Sequence, residues 1–343
     1  MKCGTPRWTN QRSILRIAAC RLRRRSCSSA GAVERVRSAS ICCQPVHPWV
    51  ASPAGAPAVS ALSSRIRRVR AAWQAKGNHV KQRVLITGAA GRIGTVLGHR
   101  LGDRYELSGI DQRPAAFPCL NADIRDLAAI QPAFEGIDAV VHLAANPHVA
   151  GSFADMVEHN ITGTRNVYEA AKRAGVRLVM FASTNHVVSG WEIECGPSVY
   201  ALDDTRTIDH NAEIRPDSPY GFSKAAGEAL GRHYVDLHGL HVHVIRIGWV
   251  LDDAGNADPL TQDVSGETQP VLSERAVRRR LRAIWLSHDD CAHLVDRSLQ
   301  SADVPFGIYY GVSNNPRLFY DLGKARRDLG YAPQDSAPRE LGE

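Results

Sequence analysis

The run Thr87-Gly88-Ala89-Ala90-Gly91-Arg92-Ile93-Gly94 constrains this chain more than any other feature. It follows the apolar residues 84–87 (VLIT) and leads into Ile93, Val96 and Leu97, which recur at helical spacing. A buried strand, a glycine turn and a helix in that order open a βαβ unit. Each glycine has a use there. Gly88 allows the tight turn, Gly91 lets a ligand's phosphates approach the backbone, and Gly94 lets the helix pack close to the strand. Arg92 and Ile93 begin the helix, whose free N–H groups and partial positive charge suit a pyrophosphate. Glycines in a loop are a weak signal alone. The acid Asp111, 23 residues after Gly88 and at the end of the next apolar run, makes the signal strong.

Residues 105–110, 138–143 (DAVVHL) and 176–182 (VRLVMFA) also read as strands, and 160–174 reads as a helix. The alternation predicts an α/β fold: a Rossmann-type doubly wound parallel sheet with helices on both faces. Ligands of such sheets bind beyond the carboxyl ends of the strands. A carboxylate at Asp111 accepts hydrogen bonds from ribose hydroxyls and repels a 2′-phosphate. NAD is therefore the expected cofactor, with Arg113 near enough to soften the preference; a cap or turn role is the alternative for Asp111. Asp123 and Ile124 follow the third strand, and Asp123 reads either as a contact to the adenine amino group or as a turn residue. Leu143, Ala144 and Ala145 follow the fourth, where small side chains let the backbone pass close to the cofactor. Asn160 and Ser183 complete the expected cofactor contacts.

Tyr220 and Lys224 form a Y-x-x-x-K pair, one turn apart on a helix face. A free tyrosine, with a pKa of about 10, is a poor base at neutral pH. Bringing it to about 7 requires about 4 kcal/mol of preference for the phenolate, which an adjacent ammonium and a positive nicotinamide can supply. Lys224 can also hold the nicotinamide ribose. The third member of such a site is a hydroxyl after the fifth strand, where the sequence reads FASTNH (181–186). Thr184 is the expected hydroxyl and Ser183 the alternative. Asn185 and His186 point toward the same cleft, although a histidine at a strand end is often structural. No metal-ligand spacing occurs among the 14 histidines.

Charge and cysteine divide the 343 residues near Lys81. Residues 1–80 hold 15 Lys and Arg against the single acid Glu34; the remainder holds 27 Lys and Arg against 34 Asp and Glu. The arm is also rich in Ser, Ala and Pro and carries Cys3, Cys20, Cys27, Cys42 and Cys43. It resembles an organelle transit peptide, or is a disordered extension, or is translated sequence upstream of a later start. The body, 81–343, is the expected NAD-binding domain, with substrate-binding elements from 187–219 and 249–343 forming a small C-terminal lobe. Its cysteines, Cys119, Cys195 and Cys291, are far apart, which suits a reducing compartment; the cytoplasm is expected, with organelle targeting by the arm left open. The longest stretch without charged residues, 38–64, contains four prolines and predicts no membrane span. An acidic body argues against nucleic acid as a partner. Oligomeric state is left open, a homo-oligomer included.

Together these residues resemble the extended short-chain dehydrogenase/reductase superfamily, from 81 to 334. Residues 181–186, 220–228 (YGFSKAAGE), 245–248 (IRIG), 285–287 (WLS) and 329–335 (LGYAPQD) resemble a narrower group. That group holds bacterial uronate dehydrogenases and haloarchaeal NAD-dependent glucose-6-phosphate dehydrogenases. The resemblance implies oxidation of a sugar's anomeric carbon to a lactone, with Thr184, Tyr220 and Lys224 catalytic and Asn185 and His186 as substrate contacts. It also implies that Arg280, five residues before Trp285, holds a substrate carboxylate or phosphate, though neighbouring Arg278, Arg279 and Arg282 leave that alignment open. Pro147 and Trp249 stand where uronate dehydrogenases have serines, and 187–219 is longer than theirs. Two other functions share parts of this pattern. A nucleotide-sugar epimerase or dehydratase uses the same loop and Tyr/Lys pair but needs a larger C-terminal region than the roughly 105 residues after the catalytic helix. A non-catalytic NAD-binding regulator has no need of the Tyr/Lys pair.

Overall fold

The computed structural model describes residues 81–251 and 272–338. The arm 1–80, and the part of the expected lobe at 252–271 and 339–343, lie outside the described residues. Among the described residues, seven strands form one parallel sheet: β1 (Arg83–Thr87), β2 (Glu106–Asp111), β3 (Cys119–Asn121), β4 (Ala139–His142), β5 (Leu178–Thr184), β6 (His241–Ile247) and β7 (Phe306–Gly311). Their order is β3-β2-β1-β4-β5-β6-β7. The chain winds outward from β1 to β3, then crosses back to place β4 on the other side of β1. That reversal opens a crevice at the carboxyl ends of β1 and β4, where Thr87 pairs in register with His142.

The sheet is covered on both faces, which is why its strands read as continuous apolar runs. Val84 and Ile86 point to one face, where they join Leu97 of α1 (Arg92–Leu101) and Leu294 of α6 (His288–Gln300) in one core. Leu85 points to the other face and joins Val167 of α2 (Gly163–Ala174) and Tyr234 of α4 (Pro219–His238). The expected helix at 160–174 differs at its start: Met156–Thr162 is a π-helical turn that runs into α2. Such wide turns re-aim side chains, and this one carries the buried Asn160.

After β5 come α3 (Ser189–Cys195) and an irregular stretch to Ser218. After β6 come α5 (Glu274–Ile284), α6, β7 and α7 (Gly323–Leu329). The two regions are tied together. Arg317 Nε donates to Val199 O at 2.8 Å, Arg317 Nη2 to Arg206 O at 2.6 Å, and Ile208 N to Phe319 O at 2.7 Å. Among the described residues, no helix is long and apolar enough to cross a membrane.

Candidate active site

A cleft of ≈ 960 Å³ runs along the carboxyl ends of the central strands. At one end lies the glycine loop. Gly88 has φ +74°, and a Cβ there would meet Ala144 N at 2.8 Å; a Cβ on Gly94 would meet the carbonyl oxygens of Gly88 and Ala89 at 2.5 Å. The turn is therefore closed to side chains at both positions, and α1 starts hard against the strand with its N–H groups toward the cleft. Gly91, Arg92 and Ile93 line the same wall. Arg92 Nη1 reaches across the cleft to Val250 O at 2.8 Å.

Asp111 takes the turn-bracing role and also faces the cleft. Its carboxylate accepts from Ala90 N at 3.0 Å and Arg113 N at 2.9 Å, bracing the glycine loop, and it also lines the cleft. Asp123 lines the cleft with Ile124. Gln112 Nε2 donates to its carboxylate at 3.0 Å and Arg125 Nη2 at 2.7 Å, and this guanidinium holds the carboxyl below the usual range. Leu143, Ala144 and Ala145 form the floor after β4.

A buried residue with no sequence signal supports that floor. His142 is fully buried, with Nδ1 2.7 Å from Thr87 Oγ1 and Nε2 3.0 Å from Thr164 Oγ1. Burial, helped by the Lys224 charge, pushes its pKa down to about 3, so it is a neutral strut. Thr87 Oγ1 in turn accepts from Ala144 N at 3.3 Å.

Asn160 is placed differently from expectation. It does not line the cleft; its amide bonds Asn146 N at 2.7 Å, Asn146 O at 3.1 Å and Ser223 Oγ at 2.9 Å. It shapes the loop after β4 from behind. Ser183 contributes to the cleft wall, but its hydroxyl donates to Glu228 Oε1 at 2.5 Å. Glu228 is held by Arg246 at 2.8 and 3.0 Å in a fully buried ion pair. Alternation along β5 puts Ser183 and Thr184 on opposite faces, so Ser183 is not the reacting hydroxyl.

Thr184, Tyr220 and Lys224 do converge on the other end of the cleft. The local sequence explains the helix that carries the last two. Ser218 caps α4 by accepting from Gly221 N at 3.1 Å, and Pro219 takes the first helical position. Lys224 is 3% exposed, with Nζ 2.8 Å from Ala182 O and 5.8 Å from the Tyr220 ring centre. Burial pushes Lys224 down to about 7. Burial pushes the Tyr220 phenol up to about 12, against a Thr184 hydrogen bond that lowers it. Both groups are desolvated, and desolvation acts on each charged form.

Beside them, Asn185 is 3% exposed, and its Nδ2 is a buried donor with no partner in the protein. It lines the cleft, where a ligand oxygen would satisfy it. His186 packs edge-on against Tyr220, ring centres 5.9 Å apart. Its Nδ1 lies 2.8 Å from Asp217 Oδ2. A carboxylate can only accept, so Nδ1 carries the proton and Nε2 is left for a ligand. Asp217, three residues before Tyr220, had no sequence signal, because its role depends on the chain returning from 187–219 to the end of β5.

Arg280 is not in the cleft wall. It is 3% exposed, and its Nε lies 2.5 Å from Glu192 Oε2. The structure does not bring it to the cleft with the other expected site residues: the guanidinium is paired inside the protein. Its basic neighbour Arg278 pairs with Glu274 at 3.0 Å.

A sequence profile of the NAD dependent epimerase/dehydratase family matches residues 84–251. The chain is 37% identical over 268 residues to the NAD-dependent glucose-6-phosphate dehydrogenase of Haloferax volcanii, covering 75% of this chain and 94% of that protein. It is 38% identical over 260 residues to the L-arabinose 1-dehydrogenase (NAD(P)(+)) of the same organism, covering 74% and 97%. The crystal structure of uronate dehydrogenase from Agrobacterium tumefaciens matches with a TM-score of 0.59 at 29% identity, covering 75% of this chain and 85% of that one. The glycine cradle closed to any Cβ and the carboxylate of Asp111 fit NAD as the cofactor. With the profile running from β1 through the Tyr220 helix, and relatives aligned over nearly their full length, the chain belongs to the NAD dependent epimerase/dehydratase family, within the extended short-chain dehydrogenases.

Proposed function

We propose that this protein oxidises the anomeric carbon of a sugar to a lactone. The observation that carries the reading is that Thr184, Tyr220, Lys224 and the unpartnered Asn185 amide line the same cleft as the glycine cradle. NAD⁺, when bound, supplies the hydride acceptor. The C1 hydroxyl then loses its proton to Tyr220 as the C1–H bond breaks and the C1 carbonyl forms. Thr184 positions the same oxygen and steadies the phenolate. Lys224 is held against Ala182 O and lends its charge to the phenolate. Asn185 Nδ2 donates to a sugar oxygen, and His186 Nε2, its tautomer set by Asp217, meets a ring hydroxyl.

The residue set, the cleft and the sugar dehydrogenases among the relatives support this reading. The test is NADH formation from a panel of free aldoses, uronates and sugar phosphates, with Tyr220→Phe alongside. The variant removes one oxygen and should lose about 10²–10⁴-fold in turnover, the usual worth of a positioned base, while binding NAD normally. Wild-type turnover in Tyr220→Phe, or no NADH from any sugar, overturns the proposal.

A further inference from the structure

The relatives act on sugars with and without an anionic group, so kinship leaves the substrate's charge undecided. The sugar end of the cleft carries direct physical information on it. This inference rests on the proposed sugar oxidation. We infer that Glu192 selects a neutral sugar, by cancelling Arg280 beside the substrate site.

Glu192 and Arg280 are 2% and 3% exposed and lie in direct contact. Besides Arg280, the carboxylate accepts from Tyr320 OH at 2.6 Å, Tyr200 OH at 3.1 Å and Ser189 Oγ at 3.3 Å. Four donors on one buried carboxylate make a closed network that presents no net charge. The network sits directly behind the sugar contacts. Ser189 Oγ also lies 3.2 Å from the backbone oxygen of Asn185, so its single proton is shared between the substrate-facing turn and Glu192. Burial opposes the charge on Glu192, but the Arg280 guanidinium and the Tyr320 hydroxyl hold its carboxyl below the usual range.

Among the described residues, no other Lys or Arg at the sugar end of the cleft takes the place of Arg280. Four Lys and Arg side chains line the cleft, and each is engaged. Arg92 bonds Val250 O, Arg113 bonds Ala90 O and Arg125 bonds Asp123, all in the half of the cleft around the glycine loop and Asp111. Lys224 bonds Ala182 O within the catalytic group. Residues 252–271, outside the described residues, contain no Lys, Arg or His but four Asp and one Glu. Binding a carboxylate or phosphate means stripping its water, and only a matched cation offsets that cost. The groups that remain, the Asn185 amide as a donor and His186 Nε2 as an acceptor, suit uncharged hydroxyls. Asp217 behind His186 further disfavours an anion.

Matched substrates test this. Initial rates of NADH formation are compared for D-galactose, D-galacturonate and D-galactose 6-phosphate, and for the corresponding D-glucose series. Within at least one series the neutral sugar should exceed both anions by tenfold or more in kcat/KM. An anion that equals or exceeds its neutral parent in both series overturns the inference and leaves sugar oxidation standing. No NADH from any of the six, with NAD bound, removes sugar oxidation and the inference with it. Glu192→Gln uncovers the Arg280 charge and should raise the anion-to-neutral ratio at least tenfold. An unmoved ratio in a variant that still binds NAD shows that Glu192 is not the determinant. If the variant does not fold, the wild-type comparison still decides.

Discussion

Replacing Lys224 by methionine should destroy activity and yet stabilise the protein. The side chain is 3% exposed and lies among Ala182, Phe181 and Tyr220, where burial lowers its pKa from 10.5 to about 7. At about 1.4 kcal/mol per tenfold change in proton affinity, that drop amounts to roughly 5 kcal/mol of penalty for burying the ammonium. Methionine has similar length and no charge to desolvate. It forfeits the bond to Ala182 O, worth about 1 kcal/mol net, and leaves that carbonyl short of a donor at about 1 kcal/mol more. A net gain of roughly 2–4 kcal/mol remains at pH 7. For a chain of this size each kcal/mol moves Tm by about 2–4 °C, so the variant should melt roughly 5–15 °C higher. The pH dependence has a definite sign. The unfolded chain keeps this proton up to about 10.5 and the folded protein only up to about 7, so between those values the unfolded state binds more protons. Wild-type stability therefore rises from pH 7 toward 10, relative to the variant, and the variant's advantage shrinks over the same window. The assay is thermal unfolding followed by circular dichroism at pH 7, 8.5 and 10, without added cofactor, since bound NAD would add its own stabilisation. A variant that melts at or below wild type at pH 7, or an advantage constant to pH 10, would refute the desolvated-ammonium argument.

Two further substitutions probe the ends of the cleft. Asp217→Asn keeps the shape but removes the charge that sets the His186 tautomer through a 2.8 Å bond. It should lower kcat/KM about 10–100-fold, the worth of about 1.5–3 kcal/mol in a charge-assisted hydrogen bond, while NAD affinity stays unchanged; an unaltered kcat/KM counts against the positioning role. Gly94→Ala drives a Cβ to 2.5 Å from two backbone oxygens, which cannot swing away as a side chain could. NAD binding followed by fluorescence should weaken at least tenfold, and wild-type affinity would show that the loop tolerates the shift.

Much of this protein was readable before its structure. The apolar run 84–87, the glycines after it, Asp111 and the Y-x-x-x-K pair act through local geometry: a turn, a helix start, a strand end, one helical turn. Short-range rules suffice for those, and Gly88, Gly91, Gly94, Asp111, Tyr220 and Lys224 all line the cleft. Where the reading failed, a distant partner decided. Asn160 turned behind the loop because a π-helical turn aims it at Asn146 and Ser223, and Ser183 turned away because Glu228, on the facing helix, claims its hydroxyl. Arg280 sits at the position a motif assigns to an anion, yet Glu192, 88 residues earlier, neutralises it. Asp217 and His142 carried no pattern at all. The sequence alone determined the first strand, the glycine turn and helix start after it, and the one-turn spacing of Tyr220 and Lys224, because neighbours along the chain set them. Only the tertiary structure decided which polar groups are left free to meet a substrate, because a buried charge is spoken for by whichever opposite charge the fold brings to it.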